Sequence, residues 1–248
     1  MKYFVAAVGL SLCGISFSIA QQPAGTTPPA STQIPLAKAD DNSQYANAAI
    51  KGLIESVDDP DVGVREASVM ALRELGAQAK PAIAALCHRL RDRDGFVRID
   101  ASKTLVDLGK DAVPTMALYL NDPDPTVREL VLHSFREIGA DAKSAAAAIT
   151  QRLVDPDVAV RSAAIAALRE LGPDAKPAIP LLAASLNDPD GYVRIDAAMV
   201  TARVGPEAAK SLANMLHDPN PRTRELAAYS LRQLAPSLIT PPKTEMYR

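Results

Sequence analysis

Apolar residues return along most of this chain at intervals of three and four. Counted from each of six arginines, Arg65, Arg98, Arg128, Arg161, Arg194 and Arg224, small or apolar side chains fall at −1, +3, +7 and +10. The first unit places Val64, Ser68, Leu72 and Leu75 there, and the second places Val97, Ala101, Leu105 and Leu108. That spacing draws one apolar stripe along an amphipathic helix. Most stripes close on a glycine, as at Gly76, which ends the first helix. Ala77 to Lys80 then make a turn, and Pro81 starts a second helix. Two short antiparallel helices cannot bury a core by themselves, so successive units must stack.

Each arginine follows an acidic residue by six positions: Asp59, Asp92, Asp122, Asp155, Asp188 and Asp218. In the first unit Asp59 is expected to cap the helix, with Pro60 at its first position and Asp61 in its first turn. The arginines are separated by 33, 30, 33, 33 and 30 residues, so a block of 96 residues is used twice. Between residues 53–139 and 149–235, 40 of 87 aligned positions are identical. Agreement of that extent indicates duplication of a three-unit block. The expected architecture is all-α: six stacked helical hairpins in a right-handed α-solenoid over residues 46–236, followed by a tail at 237–248.

The units resemble HEAT repeats, specifically the short variety found in bilin-lyase (PBS lyase) HEAT-like proteins. The resemblance rests on the acid six before the arginine, the pairs Val64-Arg65, Val97-Arg98, Val127-Arg128, Val160-Arg161 and Val193-Arg194, and the closing Leu-Gly, Ile-Gly or Val-Gly. The last unit departs, with Thr223 before Arg224 and Ala235 in place of glycine. In such families the acid and the arginine form a polar ladder between neighbouring turns. The resemblance implies that role for all six pairs, from Asp59 and Arg65 to Asp218 and Arg224.

On each arginine-bearing helix the face opposite the stripe is centred on +1, +5 and +8. In units one, three and six it is charged at both ends, as in Glu129, His133, Arg136 and Glu225, Tyr229, Arg232, and unit four carries Ser162, Ala166 and Arg169. Units two and five differ, with Ile99, Lys103, Val106 and Ile195, Met199, Ala202. Apolar side chains where water is expected mark either a contact patch or positions tucked against neighbouring helices. The candidate partner-binding residues are Ile99, Lys103, Val106, Ile195, Met199 and Tyr229. Phe96 and Tyr192 follow a glycine in the same two units. They plug the joint between units or stand on its rim, and the plug is the expectation.

Composition narrows the functional classes. The chain has 27 basic and 29 acidic residues among 248, which excludes a general basic field for nucleic acid. Residues 1–20 read as a secretory signal peptide, with Lys2, an apolar run from Phe4 to Phe17, and Ser18-Ile19-Ala20 before the cut. Residues 21–45 read as a disordered linker rich in Pro, Thr and Ser. The chain is therefore expected to be exported, to the periplasm or outside the cell, with no integral membrane span after cleavage. Cleavage removes Cys13 and leaves Cys87 as a lone thiol, expected to be a small buried side chain.

Grouped catalytic residues are scarce. His88, His133 and His217 lie on different helices, and one thiol cannot form a zinc cluster. No phosphate-binding glycine loop is present. HEAT-repeat deoxyhypusine hydroxylases bind iron through His-Glu dipeptides, and none occurs here. The expectation is a scaffold or adaptor that binds a protein, without catalysis, cofactor or metal. A bilin-lyase-like enzyme or isomerase is the alternative that the resemblance carries.

Overall fold

The computed structural model describes residues 39–239. The signal peptide, most of the linker and all of the C-terminal tail beyond Ile239 lie outside them, and α12 runs into the first residues of that tail. Twelve α-helices follow in chain order: α1 (Ala39–Ser56), α2 (Val62–Glu74), α3 (Ile83–Arg89), α4 (Gly95–Leu108), α5 (Val113–Leu118), α6 (Pro125–Ile138), α7 (Ala146–Gln151), α8 (Val158–Leu171), α9 (Ile179–Ala184), α10 (Gly191–Val204), α11 (Ala208–Met215) and α12 (Pro221–Ile239). Among the described residues there is no strand. α1 starts at Ala39, upstream of residue 46 and inside the segment read as linker.

The even-numbered helices carry the arginines and pack in sequence order, α2 on α4, α4 on α6, α6 on α8, α8 on α10 and α10 on α12. The odd-numbered helices from α3 to α11 form a second row against them. The stack is thus the helical solenoid expected from the repeats. Its core follows the stripes. Val97, Ala101, Leu105 and Leu108 are buried on α4, as are Val160, Ala164, Leu168 and Leu171 on α8. Val193, Ala197, Thr201 and Val204 do the same on α10. Val64, in the first unit, stays 40% exposed.

The connections are tighter than the sequence suggested. Gly76 to Ala82 is a 3₁₀ segment with Pro81 inside it, and α3 begins only at Ile83. Gly139–Ala145 and Gly172–Ala178 repeat that segment in later units. In the 30-residue units it is shorter: Gly109–Asp111 suffices in the second, and in the fifth Pro206 and Glu207 separate Gly205 from α11. The shorter interval between arginines is therefore taken out of the connection between the two rows, while α4 and α10 keep the 14 residues of α6 and α8.

Candidate partner-binding face

The two acids at each helix start have different tasks from those expected. Asp61, Asp94, Asp124, Asp157 and Asp190 are the N-caps, and each carboxylate accepts a backbone N–H from the first turn. The acid two positions earlier does not cap the helix. Asp59, Asp92, Asp122, Asp155 and Asp188 each accept the backbone N–H two residues on, at 2.8–3.1 Å. That Asx-type bond fixes the turn and leaves the rest of the carboxylate pointing at the preceding unit.

The preceding unit's arginine meets it there. Arg65 donates Nε and Nη2 to Asp92 at 2.9 and 3.0 Å. Arg128 does the same to Asp155 at 2.9 and 2.7 Å, and Arg161 to Asp188 at 2.7 and 2.9 Å. The remaining nitrogen, Nη1, donates to two carbonyls of the arginine's own turn, such as Asp122 and Pro123 for Arg128. Each guanidinium therefore ties its own turn to the next unit. Planar, two-bonded pairing of this kind is the strong form of the arginine–carboxylate contact.

Second arginines reinforce two rungs. Arg89 Nη1 reaches Asp92 at 3.0 Å and Arg152 Nη1 reaches Asp155 at 3.4 Å. Burial by itself pushes the Asp92 carboxyl up, but hydrogen bonds from Arg65 and the Asp94 N–H, with the charges of Arg65 and Arg89, hold it below the usual range. The same balance lowers Asp155, with Arg128, the Asp157 N–H and Arg152 outweighing burial.

The ladder that the resemblance implied for all six pairs is not continuous. Arg98 and Arg194 keep their Nη1 bonds to the turn carbonyls of Asp92, Arg93, Asp188 and Pro189, yet neither donates to a following aspartate. Arg224, in the last unit, likewise bonds the carbonyls of Asp218 and Pro219 and no aspartate side chain among the described residues. The cause at the internal joints is chain length. A closed rung spans 27 residues. Arg98 to Asp122 and Arg194 to Asp218 span 24, because the 30-residue units are shortened between the glycine and the acid. Other groups take over: Arg91 donates to Asp122, and Asn187 Nδ2 donates to Asp218 at 2.5 Å.

The face opposite the core carries grooves. One of about 560 Å³ lies between α10 and α12, lined by Gly191, Arg194, Ile195, Met199, Leu226 and Tyr229 among others. A second of about 330 Å³ runs from α8 to α12 over Ala166, Arg169, Met199, Ala202 and Tyr229. They share Met199 and Tyr229, so one surface spans three helices. The equivalent groove in the first block, about 240 Å³, lies between α4 and α6 and includes Gly95, Arg98, Ile99 and His133.

This architecture matches a known family. The model for HEAT repeats matches residues 83–169, 113–202 and 178–241, more than half of the chain. The chain belongs to the HEAT-repeat family. No curated protein matches it significantly. Among solved structures it is similar to the CpcE–CpcF complex of phycocyanin lyase from a Nostoc species, with 23% identity over 88% of this chain and 82% of that one and a TM-score of 0.47. A designed armadillo repeat protein in complex with a (KR)4 peptide gives 14% identity over 75% and 99%, with a TM-score of 0.49. An engineered protein gives 17% identity over 75% and 96%, with a TM-score of 0.47.

Within the HEAT stack, the candidate contact residues fall as follows. Ile99, Ile195, Met199 and Tyr229 are 46%, 49%, 41% and 42% exposed. Lys103 is exposed and Val106 is half-buried. Ile99 and Lys103 therefore sit in the first block, apart from the groove that joins Ile195, Met199 and Tyr229. Phe96 and Tyr192 do not plug the joints. They are 72% and 80% exposed and stand on the rim, because each sits in the first helical turn beside the N-cap, outside the apolar stripe. Cys87 is buried, and its surroundings push the thiol up to about 12. Among the described residues no group of His, Cys, Asp and Glu is arranged to hold a metal ion. Among the same residues no helix is long and apolar enough to cross a membrane.

Proposed function

We propose that this HEAT-repeat chain is a non-catalytic protein-binding scaffold, a stack of six units that engages its partner through the exposed face of the arginine-bearing helices. The observation that carries this reading is the groove shared by α8, α10 and α12. Its walls include Met199 and Tyr229, large and exposed where a merely solvated face would carry charge. Stacked helical units commonly present such extended surfaces to proteins. Export is part of the proposal and rests on the pattern of residues 1–20. Crosslinking capture from cell-envelope extract tests it, with the wild-type chain beside Met199→Asp and Tyr229→Asp variants confirmed as folded by circular dichroism. A defined partner captured by the wild type and lost by both variants is the expected result. Equal capture by all three would move the site off this groove.

A further inference from the structure

Three features coincide in units two and five and nowhere else in the stack. The arginine makes no hydrogen bond to the aspartate across the joint, as described for Arg98 and Arg194. The residue three before it is glycine, Gly95 or Gly191, where the other units have Val62, Pro125, Val158 or Pro221. The residue after it is isoleucine, Ile99 or Ile195, rather than Glu66, Glu129, Ser162 or Glu225. The glycine lies beside the guanidinium: a Cβ added at Gly95 would lie 3.5 Å from Arg98 Nη2, and one at Gly191 would lie 3.4 Å from Arg194 Nη2. In both blocks the glycine, the arginine and the isoleucine line one groove together.

We infer that Arg98 and Arg194 are receptors for a carboxylate of the partner protein, each taking an acidic side chain from an extended segment whose neighbouring apolar residue rests on Ile99 or Ile195. This rests on the scaffold reading above and names what its face recognises. The sibling arginines show what the open edge accepts. With Nη1 anchored on its turn, each of Arg65, Arg128 and Arg161 turns Nε and Nη2 onto both oxygens of one carboxylate. Arg98 and Arg194 have the same anchor, at 2.8 and 2.6 Å to the first carbonyl, so the edge is held in place before any ligand arrives. The acids on the groove walls are already engaged. Glu129 pairs with His133 at 3.4 Å and Glu225 with Arg222 at 3.2 Å, so they do not occupy the arginines.

The test reads the arginines directly. The full chain, labelled with ¹⁵N at arginine, is titrated with an acetylated and amidated peptide of alternating leucine and glutamate, with its glutamine counterpart, and with inorganic phosphate. The expected result is a saturable shift of the Arg98 and Arg194 Nε–H signals with the glutamate peptide. The Arg65, Arg128 and Arg161 signals should stay in place, and the glutamine peptide should bind at least tenfold more weakly. No shift at millimolar peptide, or equal shifts with glutamine, would overturn the inference. Tighter binding of phosphate than of the peptide would overturn it in favour of a phosphate site. Arg98→Gln and Arg194→Gln separate it from the scaffold reading. If these variants retain full partner capture while Met199→Asp loses it, the scaffold stands and the carboxylate receptors fall.

Discussion

The carboxylate of Asp188 accepts two hydrogen bonds from Arg161, 27 residues earlier in the chain, and lies across the joint between two units. Both side chains are largely shielded, at 13% and 7% exposure. Removing the acid leaves a guanidinium in that setting without its counter-charge. Asp188→Asn is expected to cost about 3 kcal/mol, within the range for breaking a buried pair. Asp218→Asn, at a joint where no arginine reaches across, should cost under about 1 kcal/mol. Urea denaturation of both variants checks the difference.

The caps are separable from the rungs. Asp157 receives the Ala159 N–H at 2.8 Å, while Arg128 places its hydrogen bonds across the joint on Asp155. Asp157→Ala should lower stability by about 1 kcal/mol, and Asp157→Ser should recover most of it, since a hydroxyl serves the same N–H. Thermal melts of the two variants are sufficient. Equal losses for alanine and serine would mean that the cap bond is not what Asp157 supplies.

Acid sensitivity follows from Asp92 and Asp155, whose carboxyls titrate below the ordinary range in the folded chain. A lowered native value means the folded state holds its protons less tightly than the unfolded chain. The stabilisation is therefore complete above the unfolded value of about 3.9 and declines as pH falls from there through the native values. The prediction is a loss of stability with slope set by these acids below about pH 4. The double variant Asp92→Asn, Asp155→Asn should be less stable at neutral pH and show a flatter fall. An unchanged slope would assign the acid limb to other groups.

Cys87 has no exposed surface, and burial pushes its thiol up to about 12. In a full chain carrying Cys13→Ser, maleimide labelling at pH 8 should be negligible in buffer and rapid in denaturant. The labelling rate in between reports the opening of the stack around α3. Fast labelling in buffer would contradict the packing described for that helix.

Gly139 has φ 66° and ψ −137°, a conformation that side chains with a Cβ avoid. Nothing lies within 4 Å of where a Cβ would go, so any cost is backbone strain alone. Gly139→Ala is expected to destabilise by roughly 1–3 kcal/mol. A neutral result in denaturant titration would show that the turn relaxes.

Most of the fold was legible because each stripe is written relative to one arginine, and a helix with a single apolar face has one way to join its neighbours. The task of Asp59 and its equivalents was not. Two aspartates two positions apart are equally good caps on paper, and only the backbone path assigns the cap to Asp61 and the cross-joint role to Asp92. The gaps in the ladder did leave a signal. The alternation of 33 and 30 residues counts them, but a count does not say which segment of the unit loses the residues. Phe96 and Tyr192 were expected to plug the joints, but their place beside the N-cap, outside the apolar stripe, turns them outward.

The three-residue shortening recurs once per 96-residue block, so the chain's unit of meaning is three hairpins long. Adding or deleting a single hairpin would lengthen or shorten the stack but put the pattern of tied and untied joints out of phase. Adding a whole block would preserve the phase and contribute one more arginine without a cross-joint carboxylate at the same interval. Growth by duplication of blocks, visible in the two halves of this chain, is the route that multiplies surface without rewriting it.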